Sequence, residues 1–589
     1  MCGIALHFNP RGRARPLDLR RLRHRGPNSS GEWTSPDGCL WLGHTRLAIV
    51  DLSERGAQPM RDERTGNVII FNGEIYNHLE LRAELSHTWP HWHGTSDTET
   101  LLAAYAAWRE GLLGRVRGMF AFVIHDADEG SLFAARDRLG IKPLYFTEAP
   151  EGWQMASETR LLPATGSPDK SAVSRYLQTG ACPDEELLPA PVRALPAGSW
   201  LRVLHDGTAE IRSYWPETKS FRTALDNPAQ KVRTLLERSV REHLLADVPV
   251  ACFLSGGIDS SILTALAAGL MAQPLQTFSV GFAHSALDES AIAAEVARRY
   301  ATTHTRVELS DGEARALVEE AVGKLDLPSV DALNSFIVCS AAARSGIKVA
   351  LSGLGGDELF GGYPSFHDVP RLRRLARLPF QLHRQFGFLG PRAARLAELP
   401  DGDATALALW RRRLCTDALL CEAGLPLTPP PLVEELDLPD DFSRVSWAEL
   451  RGYMKNMLLR DADAMSMAVS LELRVPFLDH ELVEYVLGLP AVEKQRGGEA
   501  KALLVRSCAD LLPPSVYQRP KQGFGLPMRV WMRGPLRSFV QDGLATAATV
   551  LPKALLRRLG DEFDSDQLHW TRLWQIVVLG HHLARTTQH

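Results

Sequence analysis

Two hydrophobic patterns meet in this chain, and the change from one to the other constrains the fold more than any other feature. Up to about residue 200, short apolar runs alternate with turn clusters. Cys39–Leu42, Arg46–Leu52, Val68–Phe71, Met119–His125 and Ser131–Ala135 read as strands, separated by Ser-Pro-Asp-Gly (35–38), Arg-Thr-Gly-Asn (64–67) and Asp-Ala-Asp-Glu-Gly (126–130). One helix is predicted there, over Thr98–Arg109, with Leu101, Leu102, Tyr105 and Trp108 at helical spacing. From about Asn227 the pattern becomes strand–helix alternation: Val248–Leu254, a helix to Leu270, Leu275–Phe282, Glu289–Tyr300, His304–Leu309, Glu313–Lys324 and Ile347–Ser352. The first pattern predicts an α+β layered sandwich. The second predicts an α/β doubly wound parallel sheet, whose ligands bind beyond the strand C-termini, and the last third reads as mostly helical.

One core cannot hold both patterns, because 589 residues exceed the ~250–300 at which a single core stops growing. The Pro- and Gly-rich stretch from Pro183 to Trp215 carries the connection and a hairpin, Ser199–Leu204 with Thr208–Tyr214. The expected bounds are 2–205 and 227–589, with a linker at 206–226. A net charge of −4 gives no field to draw nucleic acid or anionic lipid. Eight Cys without a CxxC pair exclude a disulfide scaffold and the usual zinc sites. No apolar run reaches the ~18 residues of a membrane span, so a cytoplasmic protein is expected. Only 11 of 66 basic residues are Lys, which makes a Lys inside a motif conspicuous.

Cys2 becomes the first residue if Met1 is removed. Its α-amine, of ordinary pKa about 7.7–8.0, then supplies a base on the same residue as the thiol nucleophile. Cys-Gly-Ile (2–4) is followed by Arg-His-Arg-Gly-Pro (23–27), His-Thr-Arg-Leu-Ala-Ile-Val-Asp (44–51), Phe-Asn-Gly-Glu-Ile-Tyr-Asn (71–77), Ser-Asp-Thr-Glu (96–99) and Arg-Asp-Arg-Leu-Gly-Ile-Lys-Pro-Leu-Tyr (136–145). Together these resemble the glutaminase domain of N-terminal-nucleophile (Ntn) amidotransferases, an αββα sandwich. The resemblance implies Cys2 as nucleophile and Asn72 and Gly73 as oxyanion donors. It further implies Arg46 on the α-carboxylate of glutamine and Glu74 and Asp97 on its α-ammonium. Asn28 stands where Asp is usual in that family.

Leu254-Ser-Gly-Gly-Ile-Asp-Ser260 lies between a buried strand and a helix, where small residues expose backbone N–H groups to an anion. It is not a GxxxxGK[ST] loop. It resembles the pyrophosphate (PP) loop of ATP pyrophosphatases. Ser352-Gly-Leu-Gly-Gly-Asp-Glu-Leu-Phe-Gly-Gly-Tyr363, Asp463-Ala-Met-Ser-Met467, Leu473-Arg-Val-Pro-Phe-Leu-Asp479, Lys501 and Lys521-Gln-Gly-Phe-Gly-Leu-Pro527 follow in order. With them the second half resembles the synthetase domain of the glutamine-dependent asparagine synthetase family. The resemblance implies ATP contacts from Leu254, Ser255, Gly256, Gly257, Asp259, Ser260, Val280, Ser352, Gly353 and Lys501, and Mg²⁺ on Asp259 and Asp357.

The chemistry so implied is release of ammonia from glutamine and amidation of a carboxylate activated by ATP. Aspartate is the favoured acceptor, and another carboxylate in a peptide, glycan or secondary metabolite is the alternative. An ATP-dependent cyclase of the β-lactam synthetase type is a further one, against which the intact Cys2, Arg46, Asn72 and Asp97 argue. Two departures bear on the acceptor. Leu354 stands where the family carries an acid, and Ser329-Val-Asp-Ala-Leu-Asn-Ser335 matches no aspartate-enzyme pattern. Asp331, Asn334, Ser335 and Leu354 are therefore the expected acceptor pocket. A homodimer is the family expectation.

Overall fold

The structure is a computed structural model. It describes every residue except 1, 164–167, 185, 189–190, 217–219, 222, 224, 283–289, 310, 378–394, 401, 431–432, 498–499, 519–525 and 587–589, so Lys521 lies outside the described residues.

Among the described residues the N-terminal half contributes twelve strands: β1 Cys2–Phe8, β2 Ser29–Thr34, β3 Leu40–Arg46, β4 Met60–Arg61, β5 Val68–Ile75, β6 Gly118–Asp126, β7 Ser131–Arg136, β8 Tyr145–Ala149, β9 Gly152–Ala156, β10 Arg193–Ala194, β11 Ser199–Val203 and β12 Ala209–Ser213. They form two six-stranded antiparallel sheets, ordered β10-β8-β9-β1-β3-β2 and β12-β11-β7-β6-β5-β4. Strand alternation builds the layers. Ile4, Leu6 and Phe8 of β1 meet Val68 and Ile70 of β5 in the inner core. Ile69 and Phe71 face the other way, against Leu81 and Leu85 of helix α1 (His78–Leu85) and Leu101, Leu102 and Tyr105 of α2 (Asp97–Trp108). Each such side chain, fully buried, contributes about 1.5–3 kcal/mol. Ser96 caps α2 by accepting from the Thr98 N–H.

The outer face of the first sheet is covered differently. Ala5, Trp41, Tyr145 and Ala156 share one core with helix α3 (Lys170–Thr179) and with helices of the C-terminal half, including Trp570–Thr586. The sandwich thus borrows part of its second helical layer from the other domain. The expected hairpin is β11–β12, and β12 falls within 206–226, where it closes one edge of the second sheet.

The C-terminal half holds a five-stranded sheet of β13 Val250–Phe253, β14 Gln276–Phe282, β15 Thr303–Leu309, β16 Val349–Leu351 and β17 Glu472–Arg474. Every pairing is parallel and the order is β15-β14-β13-β16-β17. Strand order reverses between β13 and β16, so their C-terminal ends open the crevice where such sheets bind ligands. Helix α4 Pro228–His243 precedes β13, α5 Ile258–Leu270 and α6 Ser290–Arg299 follow β13 and β14, and α7 Asp311–Lys324 and α8 Ala332–Arg344 both lie between β15 and β16.

One expected strand fails. Arg46–Leu52 is strand only at Arg46. Leu47 and Ile49 are buried, in the core of the other domain, and the Asp247 N–H donates to the Ile49 carbonyl at 2.9 Å. The run is apolar because it docks, not because it pairs. Among the described residues no helix is long and apolar enough to cross a membrane. The eight cysteines form no disulfide; Cys182, Cys252, Cys339, Cys415 and Cys508 are buried packing residues, whereas Cys421 is exposed.

Candidate active site

Cys2 begins β1, and antiparallel register sets it opposite Arg46 at the end of β3. Its backbone N–H donates to Asn72 Oδ1 at 3.0 Å. The side-chain amide nitrogen of Asn72 is buried without a hydrogen-bond partner. A buried, unspent donor beside a thiol is the arrangement an oxyanion requires. Gly73 follows in an extended conformation, where a Cβ would overlap the Met119 carbonyl of β6. Burial raises the pKa of the Cys2 thiol, while the Leu47 N–H and Arg46 pull it down.

Arg46 is fixed by its loop. Its guanidinium donates to the carbonyl of Ser53 at 2.7 Å and to that of Asp51, and Asn28 Oδ1 accepts from the Ala48 N–H at 3.0 Å. Asn28 therefore holds the backbone beyond Arg46 through an oxygen that Asp would equally supply. Alternation turns Glu74 to the same side of β5 as Asn72. Asp97, first residue of α2, accepts the Ile75 N–H at 2.9 Å. Burial, then Asp97's charge, raises Glu74 well above the carboxylate range, and burial chiefly raises Asp97 to about 6. Glu74 Oε1 has no partner. Two adjoining carboxylates held at a cost, one with an unspent acceptor, suit an incoming ammonium.

The second centre lies at the strand-order reversal. After β13, Ser255 and Ser260 hydroxyls stand 3.1 Å apart and the Ser260 hydroxyl donates to the Gly257 carbonyl, which ties the loop to the start of α5. Gly256 has φ +83°, open to glycine. After β16, the Ser352 N–H donates to the Arg474 carbonyl of β17 at 2.8 Å, and Gly353 packs against the Asp259 side chain. Val280 sits near the C-terminal end of β14. Lys501, buried and in the left-handed region at φ +57°, reaches both loops: its ammonium contacts Asp259 Oδ2 and lies 2.6 Å from Asp357 Oδ1. Burial opposes that charge, yet the two carboxylates outweigh it and raise the Lys501 pKa. A Cβ at Gly362 would overlap the Asp357 carboxylate and the Lys501 stem. Two converging carboxylates are hard donors that fit Mg²⁺. Among the described residues no three His, Cys, Asp or Glu side chains converge on a metal site, so a dication held by these two carboxylates would need further ligands from water and phosphate.

The expected acceptor residues are only partly assembled. Asp331, Asn334 and Ser335 lie on one half-buried face of α8 or at its cap. Asp331 accepts from the Tyr453 hydroxyl at 2.8 Å, and Asn334 Oδ1 is buried without a partner. Leu354 packs into two hydrophobic cores.

Sequence reasoning left three linking residues unassigned. Arg25 donates to the Cys2 carbonyl at 3.2 Å and pairs with Glu158 at 3.1 Å and with Asp463 at 2.9 Å. Arg474, fully buried, pairs with Glu472 at 2.6 Å and Glu74 at 3.1 Å, and donates to the His243 and Leu245 carbonyls, each at 2.7 Å. Lys142 lies 3.6 Å from Asp463. Each falls inside a motif, but only the fold shows that the motifs of the two halves meet.

A family model described as Asparagine synthase matches residues 231–585, and one described as Glutamine amidotransferase domain matches residues 1–215. The chain is 31% identical to a glutamine-hydrolyzing asparagine synthetase of Bacillus subtilis, over 98% of this chain and 96% of the relative. It is 34% identical to a putative glutamine-hydrolyzing asparagine synthetase of Mycobacterium bovis, over 95% and 91%. An amidase of Gibberella zeae is 28% identical over 93% and 92%. The chain therefore belongs to the glutamine-hydrolysing asparagine synthetase family, in which a glutamine amidotransferase domain is joined to an ATP-dependent carbon–nitrogen ligase domain.

Proposed function

We propose that the chain transfers the amide nitrogen of glutamine to a carboxylate adenylated by ATP. The observation that carries this reading is the buried bridge between the two centres: Arg25 joins the Cys2 carbonyl to Asp463, and Arg474 joins Glu74 to the strand hydrogen-bonded to Ser352. In the first centre the Cys2 thiolate attacks the glutamine carboxamide, its proton passing to the free α-amine once Met1 is removed. Asn72 Nδ2 and the Gly73 N–H receive the oxyanion, and collapse releases ammonia and leaves a thioester that water hydrolyses to glutamate. Arg46 and the Glu74–Asp97 pair orient the amino acid. In the second centre the PP-loop amides hold the phosphates. A carboxylate oxygen attacks the α-phosphorus and pyrophosphate leaves with its charge opposed by Lys501. Ammonia then attacks the acyl carbon, and AMP departs. Mg²⁺ held by Asp259 and Asp357 would supply Lewis-acid stabilisation of phosphate charge.

The names of the relatives support aspartate as acceptor and asparagine as product. Leu354 favours a different carboxylate, since a leucine neither binds ammonium nor takes a proton. The test is release of glutamate, AMP and pyrophosphate by protein lacking Met1, supplied with glutamine, ATP, Mg²⁺ and a carboxylate panel. Absence of glutamate release refutes the reading.

A further inference from the structure

A cavity of about 140 Å³ lies among helix Ala404–Arg412, the helix that runs through Asp441–Glu449 and Leu450–Leu459, and the C-terminal end of α3. Its wall is mostly apolar, with Ala406, Leu409 and Met457 among the lining side chains. A closed apolar cavity of about 150 Å³ accommodates a benzene-sized group. The segment Leu450–Leu459 is wound as a π-helix, a rare geometry frequent at functional sites. It carries Tyr453 and Asn456 to the cavity.

Three polar atoms of residues in this wall are unspent, on Asn456, Arg412 and Arg413 (Nε). Asn456 is nine-tenths buried and its Oδ1 accepts nothing. Arg412 Nη2 is buried and donates to nothing, although Arg412 Nε pairs with Glu449 at 2.8 Å. Asn456 Oδ1 as acceptor and Arg412 Nη2 as donor suit the N–H and C=O of a single amide group, with Arg413 Nε a further donor.

The cavity also adjoins the second catalytic centre. The Arg412 guanidinium stacks 4.0 Å from the Tyr453 ring and 4.3 Å from the Tyr363 ring, and Tyr363 ends the Gly-rich loop that carries Asp357. The Tyr453 hydroxyl holds Asp331. The cavity wall is therefore continuous with both the ATP loop and the acceptor segment.

Building on the amidotransferase reading, we propose that this cavity is the acceptor-specificity site. Its ligand is a carboxylic acid bearing an amide and an aromatic or branched aliphatic group, that is, a peptidyl or N-acylated amino acid. The apolar group fills the space beside Leu409 and Met457, and the amide meets Asn456 and Arg412. The carboxylate is left toward the Gly-rich loop, where Leu354 removes the acid that would favour a small zwitterion.

The test compares acceptor-dependent pyrophosphate release for aspartate and for a series of dipeptides and N-acetyl amino acids with Gly, Leu or Phe side chains. It uses the parent chain, Ala406→Trp, which fills the cavity, and Asn456→Leu, which removes the acceptor oxygen at similar size. Glutamine hydrolysis and thermal unfolding establish that each variant is folded. The expected result is a kcat/KM at least tenfold higher for Leu- or Phe-bearing amides than for aspartate. Both variants then lose at least tenfold of it through KM, with glutamine hydrolysis retained. Preference for aspartate, or variants that keep the parent KM for bulky amides, overturns the proposal while leaving the amidotransferase reading intact. Glutamine hydrolysis without AMP from any acceptor overturns both.

Discussion

Replacing Arg474 by Met is the perturbation that separates a packing role for the inter-domain bridge from a functional one. Arg474 is fully buried and serves four groups: Glu472 at 2.6 Å, Glu74 at 3.1 Å and two carbonyls at 2.7 Å. Methionine keeps most of the stem volume and removes every donor. Breaking a buried ion pair by deleting one partner costs about 3–5 kcal/mol, a large share of the 5–15 kcal/mol that holds a typical domain together. Burial and the Asp97 charge raise the proton affinity of Glu74 and Arg474 opposes them, so loss of the cation shifts Glu74 further toward its neutral form. A neutral Glu74 forfeits a charge-assisted hydrogen bond to the glutamine ammonium, worth about 1.5–3 kcal/mol, or roughly 10- to 150-fold in affinity. Steady-state glutaminase assays should therefore show KM for glutamine rising by at least tenfold. Synthesis driven by ammonium chloride should keep its kcat, and Arg474→Lys should restore part of the loss. A folded Arg474→Met protein with the parent KM for glutamine would refute the assignment of Glu74 and its dependence on the other domain.

Asn72→Ala removes the unspent amide donor and should lower kcat for glutamine by about 10²–10³, with ammonia-driven synthesis unchanged. Asp97, raised to about 6 mainly by burial, binds its proton more tightly folded than unfolded, so its contribution to stability falls as pH rises from about 4 to 6. Glutamine binding needs the ionised form and runs the other way: KM for glutamine should fall as pH rises through 6, and a flat profile contradicts the assignment. Lys501→Met leaves Asp259 and Asp357 facing each other and should abolish measurable pyrophosphate release while sparing glutaminase activity, read by parallel assays. Gly362→Ala drives a methyl group into the Asp357 carboxylate and Lys501, and should raise KM for ATP at least tenfold without moving KM for glutamine.

Much of the architecture was legible because it is local. Pairing of β1 with β3 sets Cys2 opposite Arg46, and packing of the two sheets on each other's apolar faces brings Asn72 and Glu74 of β5 to them. The PP loop is equally readable, since small residues between a buried strand and a helix have few other uses. Features that depend on the other domain were not legible. Leu47 and Ile49 look like strand residues until the core they enter is seen. β17 is three residues long and each of its residues lies 123 positions beyond its register partner in β16, so no periodicity announces it. Arg474 and Arg25 are conspicuous only as motif letters, because the groups they join are 400 and 438 positions away. The helices around Trp410 and Tyr453 carry no motif; their meaning is a cavity, and a cavity is made by side chains that sequence spacing cannot bring together. Leu354 was visible as a departure, and the apolar wall beyond Tyr363 gives that departure a physical context.

The account rests most heavily on acyl adenylation coupled to glutamine hydrolysis, and phosphorus NMR of a complete reaction tests it most directly. With protein lacking Met1, glutamine, ATP, Mg²⁺ and the acceptor panel, it predicts AMP and pyrophosphate in equal amounts, each matched by amide formed. With an acceptor whose carboxylate is labelled with ¹⁸O, the phosphorus of AMP, which comes from ATP, should carry one ¹⁸O. ADP and orthophosphate as products, or AMP without the label, would contradict it.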